Sequence, residues 1–330
     1  MKTISPKFIK PGMEIRVLAL SESLSVVPKE TRDRAKTRLE KLGYKVTFGK
    51  NAMKSDIFRS SSMPDRLLDF EAALADPQVG MILAATGGYN VNELLPYLDY
   101  ANIRRARKLI CGYSDITALL NAVYAKSGLI TYLGPCFSTL GMKLGAEYTL
   151  DSFAAQLKSN VTGQVPQSKS WSDDDWQTDQ NQRRFLKNSG PITLQTGSAE
   201  GVLIGGNLCT LNLLQGTDYL PALKNSILFI EDDDLVGKWF GQEFSRNFES
   251  LLQQAGANQI SGVVFGRFQK GAKITTKKLQ AIIKNKPLLK GLPILAGVDF
   301  GHTTPQFTLP IGGLVRIEVR EAKQTITLIE

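Results

Sequence analysis

The chain has 330 residues, 42% of them apolar and 22% charged, enough for one large core or two ordinary ones, and it carries no sign of a disordered protein. Its formal charge is +9, yet the densest basic clusters, KITTKK (273–278) and KNKPLLK (284–290), fit solvated helix faces without interleaved aromatics, so no nucleic-acid partner is expected. Residues 1–20 carry Lys, Pro and Glu where a secretory leader needs an apolar run, and no later stretch is long and apolar enough to span a bilayer, so a cytoplasmic protein with no membrane partner is expected.

Strand and helix patterns alternate from the start: EIRVLAL (14–20), KETRDRAKTRLEKLG (29–43), YKVTFG (44–49) and DRLLDFEAALAD (65–76). Such alternation predicts a parallel sheet with crossover helices. GMILAA (80–85) and KLICGY (108–113) are two further strands, each followed by a tight turn and a helix. Open α/β sheets hold ligands at strand C-termini, which directs attention to those two turns. The polar run at 159–190 breaks the pattern and is expected to be a linker or binding loop. Beyond it, EGVLIGGNLCTLNLL (200–214) passes from strand to helix through GGN, and SILFIEDDD (226–234) ends a strand in carboxylates. A helix around 239–255, a strand at SGVVFG (261–266) and a closing hairpin, LVRIEV then TITLIE, follow. The expected fold is α/β. An N-terminal parallel-sheet domain of Rossmann or flavodoxin type covers 1–158, an inter-domain loop 159–198, and a smaller, strand-rich, barrel-like domain 199–330.

LICGYSDITALLNAVYA (109–125) puts Ser114 at a strand-to-helix junction. A nucleophile there is presented on a sharp turn, with the Asp115 N–H and the helix N-terminus aimed at an incoming carbonyl. Read alone, the stretch is better satisfied by Ser114 as a helix N-cap with Asp115 in the first turn. It also departs from GxSxG, with Ile116 where the second glycine belongs. A serine needs a base, and His302 is the single histidine, set in GVDFGHTTPQFTLPIG (297–312), where Gly301, Pro305 and Pro310 favour a fixed loop. By itself it reads more readily as a loop histidine satisfying one hydrogen bond. Glu231, after a five-residue apolar run, is the carboxylate placed to orient an imidazole. Asp232, Asp233 and Asp234 read as a solvated turn, or less readily as a magnesium site, and no metal or other cofactor is expected. Cys111, Cys136 and Cys209 lack the paired spacing of a zinc or redox site and read as reduced packing residues.

Taken together, GGYNVNELLPYLDY (87–100), GYSDITALL (112–120), GVLIGGNLCTLNLLQGT (201–217), LFIED (228–232) and GHTTPQFTLPIG (301–312) resemble the LD-carboxypeptidase family of serine peptidases, colinearly from about residue 11 to the end. The resemblance implies a Ser-Glu-His triad carried here by Ser114, Glu231 and His302, without a cofactor. It implies an oxyanion hole from the backbone amides of Gly88 and Asp115, where a side chain on Gly88 would obstruct close approach. Thr86 stands before the glycine pair in place of the arginine common in murein LD-carboxypeptidases, and the 159–190 segment is long, so the chain is more similar to the MccF-like, microcin C immunity branch. That branch cleaves an amide joining an aminoacyl group to a nucleotide analogue, and murein tetrapeptide hydrolysis is the alternative. A nucleobase-stacking tryptophan is implied, a role for Trp171, although Trp171 and Trp176 read nearly as well as an apolar clip on the linker. Asn90 and Asn207, in GGYN and GGN, complete the expected substrate contacts. The partners implied are a small peptide or aminoacyl-nucleotide substrate and a second copy in a homodimer. A nucleotide- or peptide-binding module without turnover is the reading from another class.

Overall fold

The computed structural model describes residues 2–329. Val79–Ala84 is buried along its whole length, a continuous apolar run rather than an alternating one, which is the mark of a parallel strand covered on both faces. It lies inside a six-stranded sheet ordered Leu309–Ile311, Thr131–Leu133, Leu109–Gly112, Val79–Ala84, Glu14–Leu18, Lys45–Phe48. All neighbours are parallel except Leu309–Ile311, which runs antiparallel to Thr131–Leu133. Helices Lys29–Lys41, Met63–Ala75 and Thr117–Ser127 serve as crossovers. The second begins at Ser62, whose side chain accepts the Asp65 N–H, with Pro64 preset for the first turn.

The second sheet has eight strands and is organised about Gly197–Asn207. The first half of that strand pairs antiparallel with Leu314–Val319, and the second half pairs parallel with Ser226–Glu231. Gly262–Gly266 and Ile294–Val298 extend the parallel part, and Leu314–Val319 with Gln324–Leu328 forms the closing hairpin. The strand-rich second unit is present, but its ladder does not close into a barrel among the described residues. Its outer strands, Gly163–Gln164 and Ile192–Gln195, stand at opposite ends of the strand order and do not pair with each other.

Chain boundaries are less clean than 1–158, 159–198 and 199–330 suggest. Leu309–Ile311 returns to the first sheet, while Gly163–Gln164 and Ile192–Gln195, from the expected linker, supply both edges of the second. Strands of two to four residues leave no periodicity to read. One continuous apolar core joins the sheets, with Leu119 and Leu120 of helix Thr117–Ser127 clustered with Leu203, Ile204 and Phe229. Asn121 of that helix, fully buried, donates to the Gly205 carbonyl at 2.9 Å. The helix that starts just after Ser114 is thereby seated against the sheet that carries Glu231.

Candidate active site

Leu109–Gly112 gives way to a single 3-10 turn, Ser114–Ile116, and then to helix Thr117–Ser127. Ser114 has φ 61°, a left-handed conformation that costs a non-glycine residue about 1–3 kcal/mol and is maintained only where surrounding structure enforces it. Tyr113, not Ser114, occupies the cap position, and no side-chain cap bond is made there. The capping alternative therefore fails, and the serine hydroxyl points to a different partner.

That partner is His302. Its Nε2 lies 3.1 Å from Ser114 Oγ, and its Nδ1 lies 2.6 Å from Glu231 Oε2. Glu231 closes the buried strand Ser226–Glu231, in register with Asn207, and its side chain is 2% exposed. Gly301 makes the approach possible: at φ +95°, a Cβ there would lie 2.5 Å from Glu231 Oε2. The histidine segment is fixed from outside by the long polar stretch. Ser172 and Thr304 exchange both backbone hydrogen bonds at 2.8 Å, and Arg183 Nη2 donates to Thr304 Oγ1 at 2.9 Å.

The electrostatics follow from this burial. Desolvation alone would lower the His302 pKa, but the Glu231 charge and hydrogen bond outweigh it, with Asp233 and Asp232 adding, so the imidazole is pushed up to about 9. Asp232 is buried, not part of a solvated turn, and its carboxyl is raised to about 7 by burial and by the neighbouring Glu231 and Asp233 charges. Asp233 and Asp234 face the cavity that contains Ser114 and His302. Cys209 also lines it as an exposed free thiol, unlike the buried Cys111 and Cys136, which are packing residues. Although the residue is exposed, its Sγ is turned in against Asn207, and the desolvation there, with the Asp232 and Asp233 charges, pushes the thiol up. An imidazole held between a hydroxyl and a buried carboxylate can accept the hydroxyl proton at Nε2 while its Nδ1–H remains donated.

The cavity has a volume of about 820 Å³, and Gly87, Gly88, Ser114, Asp115 and His302 are among the residues that line it. Gly88 has φ +145°, and a Cβ there would strike Ser21 Oγ at 2.2 Å and Glu22 N at 2.8 Å. The obstruction expected at Gly88 thus falls on the structure beneath the turn. The position facing the serine is Gly87.

Three expected substrate contacts stand elsewhere. Trp171 is not on the cavity wall; it lies in the short strand Ser170–Trp171, with the Arg267 guanidinium 4.9 Å and the Lys270 ammonium 5.4 Å from its ring centroid. Trp176, five positions on in the same loop, does line the cavity. The two tryptophans flank one polar, aperiodic run, so nothing in the sequence separates them. Asn90 and Asn207 are absent from the wall because their amides are used within the fold. Asn90 Oδ1 accepts Arg66 Nη1 at 3.0 Å. Asn207 caps helix Leu208–Asn212 through the Thr210 N–H and donates to Asp233 Oδ2 at 3.3 Å. Glu22 and Arg59, paired at 3.4 Å, are cavity residues that no sequence motif marks.

The N-terminal domain of LD-carboxypeptidases matches residues 15–134, and the C-terminal domain of the same family matches residues 200–317. YocD of Bacillus subtilis is 47% identical over 310 residues, covering 94% of each chain. The crystal structure of an MccF-like protein from Bacillus anthracis superposes with a TM-score of 0.97 at 49% identity, covering 99% of both chains. The microcin C7 self-immunity protein MccF in complex with aspartyl sulfamoyl adenosine superposes with a TM-score of 0.84 at 30% identity, covering 98% of both.

Proposed function

Since this chain belongs to the LD-carboxypeptidase family, we propose that it is a serine-type hydrolase that cleaves the amide between an aminoacyl or peptide group and a nucleotide analogue. The observation that carries this reading is the Glu231–His302–Ser114 relay opening onto a cavity walled by Trp176. In this account Ser114 Oγ attacks the scissile carbonyl and gives its proton to His302 Nε2. Glu231, accepting from Nδ1–H, stabilises the imidazolium that forms. The backbone N–H groups of Gly88 and Asp115 receive the developing oxyanion. The carbon–nitrogen bond then breaks, the leaving nitrogen takes the proton from His302, and water hydrolyses the Ser114 ester with His302 again as base.

Two observations favour a nucleotide-bearing substrate. The half-buried indole of Trp176 offers an aromatic face to a base, and the structurally similar MccF has been solved with aspartyl sulfamoyl adenosine. Hydrolysis of such a compound is the chemistry of microcin C self-resistance. The test is a mass-spectrometric panel containing aminoacyl-sulfamoyl adenosines and murein tetrapeptides, run with the parent and with Ser114→Ala. Aminoacid release from the nucleotide substrate by the parent alone is the expected result. Exclusive release of D-alanine from tetrapeptide transfers the assignment to murein hydrolysis, and products from Ser114→Ala at the parent's rate remove Ser114 from the chemistry.

A further inference from the structure

Beneath the two turns that meet at Ser114 runs a buried polar network separate from the Ser114–His302–Glu231 relay. The Asp115 side chain is its centre. Asp115 is 2% exposed, and its Oδ2 accepts both the Ser21 hydroxyl at 2.6 Å and the Val91 N–H at 2.8 Å. Val91 directly follows the Gly87–Asn90 turn. Arg66, also buried, grips the same turn from the other side: its Nη1 donates to the Asn90 carbonyl and to Asn90 Oδ1, both at 3.0 Å, and to the Leu20 carbonyl at 3.2 Å. Its Nη2 pairs with Glu93. Ser60 Oγ donates to the Ser21 carbonyl, which closes the ring.

Three loops at the C-terminal edge of the first sheet thus converge on one carboxylate, and that carboxylate belongs to the residue after Ser114. Burial pushes the Asp115 pKa up, while Ser21, the Val91 and Asn90 amides and the Arg66 charge oppose that shift. A buried carboxylate is costly unless several donors satisfy it, so its placement needs a reason. A helix-start aspartate serving only the dipole would lie at the surface. Here Ser21, the hydroxyl that Asp115 holds, is also the atom over which Gly88 is folded, since a Cβ on Gly88 would lie 2.2 Å from it.

We infer that the Asp115 carboxylate is a positioning residue for the oxyanion hole: by holding Val91 and Ser21 it fixes the Gly88 N–H relative to the N–H of Asp115 itself. The inference rests on the reading of Ser114 as nucleophile. The Asp115 carboxylate is bonded to Ser21 and Val91 and makes no hydrogen bond to Ser114 or His302. Oxyanion donors contribute only if they are already in place when charge develops, which a glycine turn left to itself does not guarantee.

An alkyl fluorophosphonate tests this without knowledge of the physiological substrate. Ser114 Oγ forms the bond to phosphorus, the P–F bond breaks, fluoride leaves, and the hydroxyl proton passes to His302, while the phosphoryl oxygen develops charge in the hole. Labelling rates would be measured by intact mass for the parent, Ser114→Ala, Asp115→Ala, Asp115→Asn and Ser21→Ala. The parent should label and Ser114→Ala should not. Asp115→Ala should label about 100-fold more slowly, a loss of the size seen when one oxyanion donor is removed. Asp115→Asn, which retains an acceptor for Val91 and Ser21, should recover to within about tenfold of the parent. In the Asp115 and Ser21 variants the NMR titration of His302 should match the parent's, because no group that hydrogen-bonds to the imidazole has changed. If Asp115→Ala does not fold, Ser21→Ala carries the test, with about tenfold slower labelling expected. Labelling at the parent's rate by the folded Asp115→Ala, or by Ser21→Ala in its place, overturns the inference, as does a shift of the His302 titration in step with the loss. A parent that does not label, in contrast, overturns the assignment of Ser114 as nucleophile, and the inference falls with it.

Discussion

Gly87 stands directly against Ser114: a Cβ added to the glycine would lie 3.0 Å from both the serine Cβ and its Oγ. The backbone at Gly87 is not left-handed, so alanine is compatible with the chain but not with an unmoved serine. Gly87→Ala should keep its melting temperature close to the parent's while kcat/KM drops by about 10- to 100-fold, since displacement of a reacting atom by less than an ångström is costly. Unchanged kinetics would place the serine hydroxyl elsewhere during reaction.

The pH profile follows from the imidazole held at about 9. Only neutral imidazole can accept the Ser114 proton, and a raised pKa keeps the protonated form dominant to higher pH. Activity should therefore climb with pH, with the kcat/KM midpoint displaced upward from the reference value of about 6.5. Because His302 is the only histidine, its NMR signal needs no assignment, and its titration should coincide with the kinetic limb. Glu231→Gln removes the main charge that raises it, so the limb should move to lower pH. Its activity loss should be smaller than that of Ser114→Ala, because nucleophile and base remain. A limb that stays put in Glu231→Gln would separate Glu231 from the base.

The two tryptophans should part company. Trp176→Ala should raise KM for an aminoacyl-sulfamoyl adenosine by about 5- to 150-fold, the equivalent of 1–3 kcal/mol of base stacking, and Trp176→Phe should preserve most of the affinity. Trp171→Ala should leave KM near the parent's and lower the melting temperature instead, since its ring is engaged by the Arg267 and Lys270 cations and is not part of the cavity lining. Calorimetry and steady-state kinetics on the same preparations check both. A KM effect confined to Trp171→Ala would reverse the assignment.

How much of this was legible in the sequence depended on the length of the signal. Val79–Ala84 and Leu109–Gly112 are continuous apolar runs ending in turns, and helix Phe240–Leu252 buries Phe240, Phe244 and Phe248 at four-residue spacing, so these elements could be read directly. His302 could be singled out because it has no competitor of its kind. The edge strands Gly163–Gln164 and Ile192–Gln195 were hidden in a polar segment, because a sheet edge is completed by backbone hydrogen bonds that carry no side-chain pattern. Trp176 could not be told from Trp171, because both border the same polar, aperiodic run. Asn90 and Asn207 looked like substrate contacts beside glycine turns, but buried turns consume such amides to satisfy their own backbone and neighbours, as Arg66 and Thr210 do here. The buried state of Asp232 depends on tertiary packing about Glu231 that no local run of acids reveals.

The central claim is that Ser114 and His302, 3.1 Å apart, act as a single device. The most direct measurement is a double-mutant cycle on kcat for the substrate identified by the panel, using Ser114→Ala, His302→Ala and the two combined. Each single substitution should lower kcat by several powers of ten, about as much as the pair, because a nucleophile without its base and a base without its nucleophile are equally idle. Losses that multiply in the double variant would mean the two side chains contribute independently, which contradicts the account.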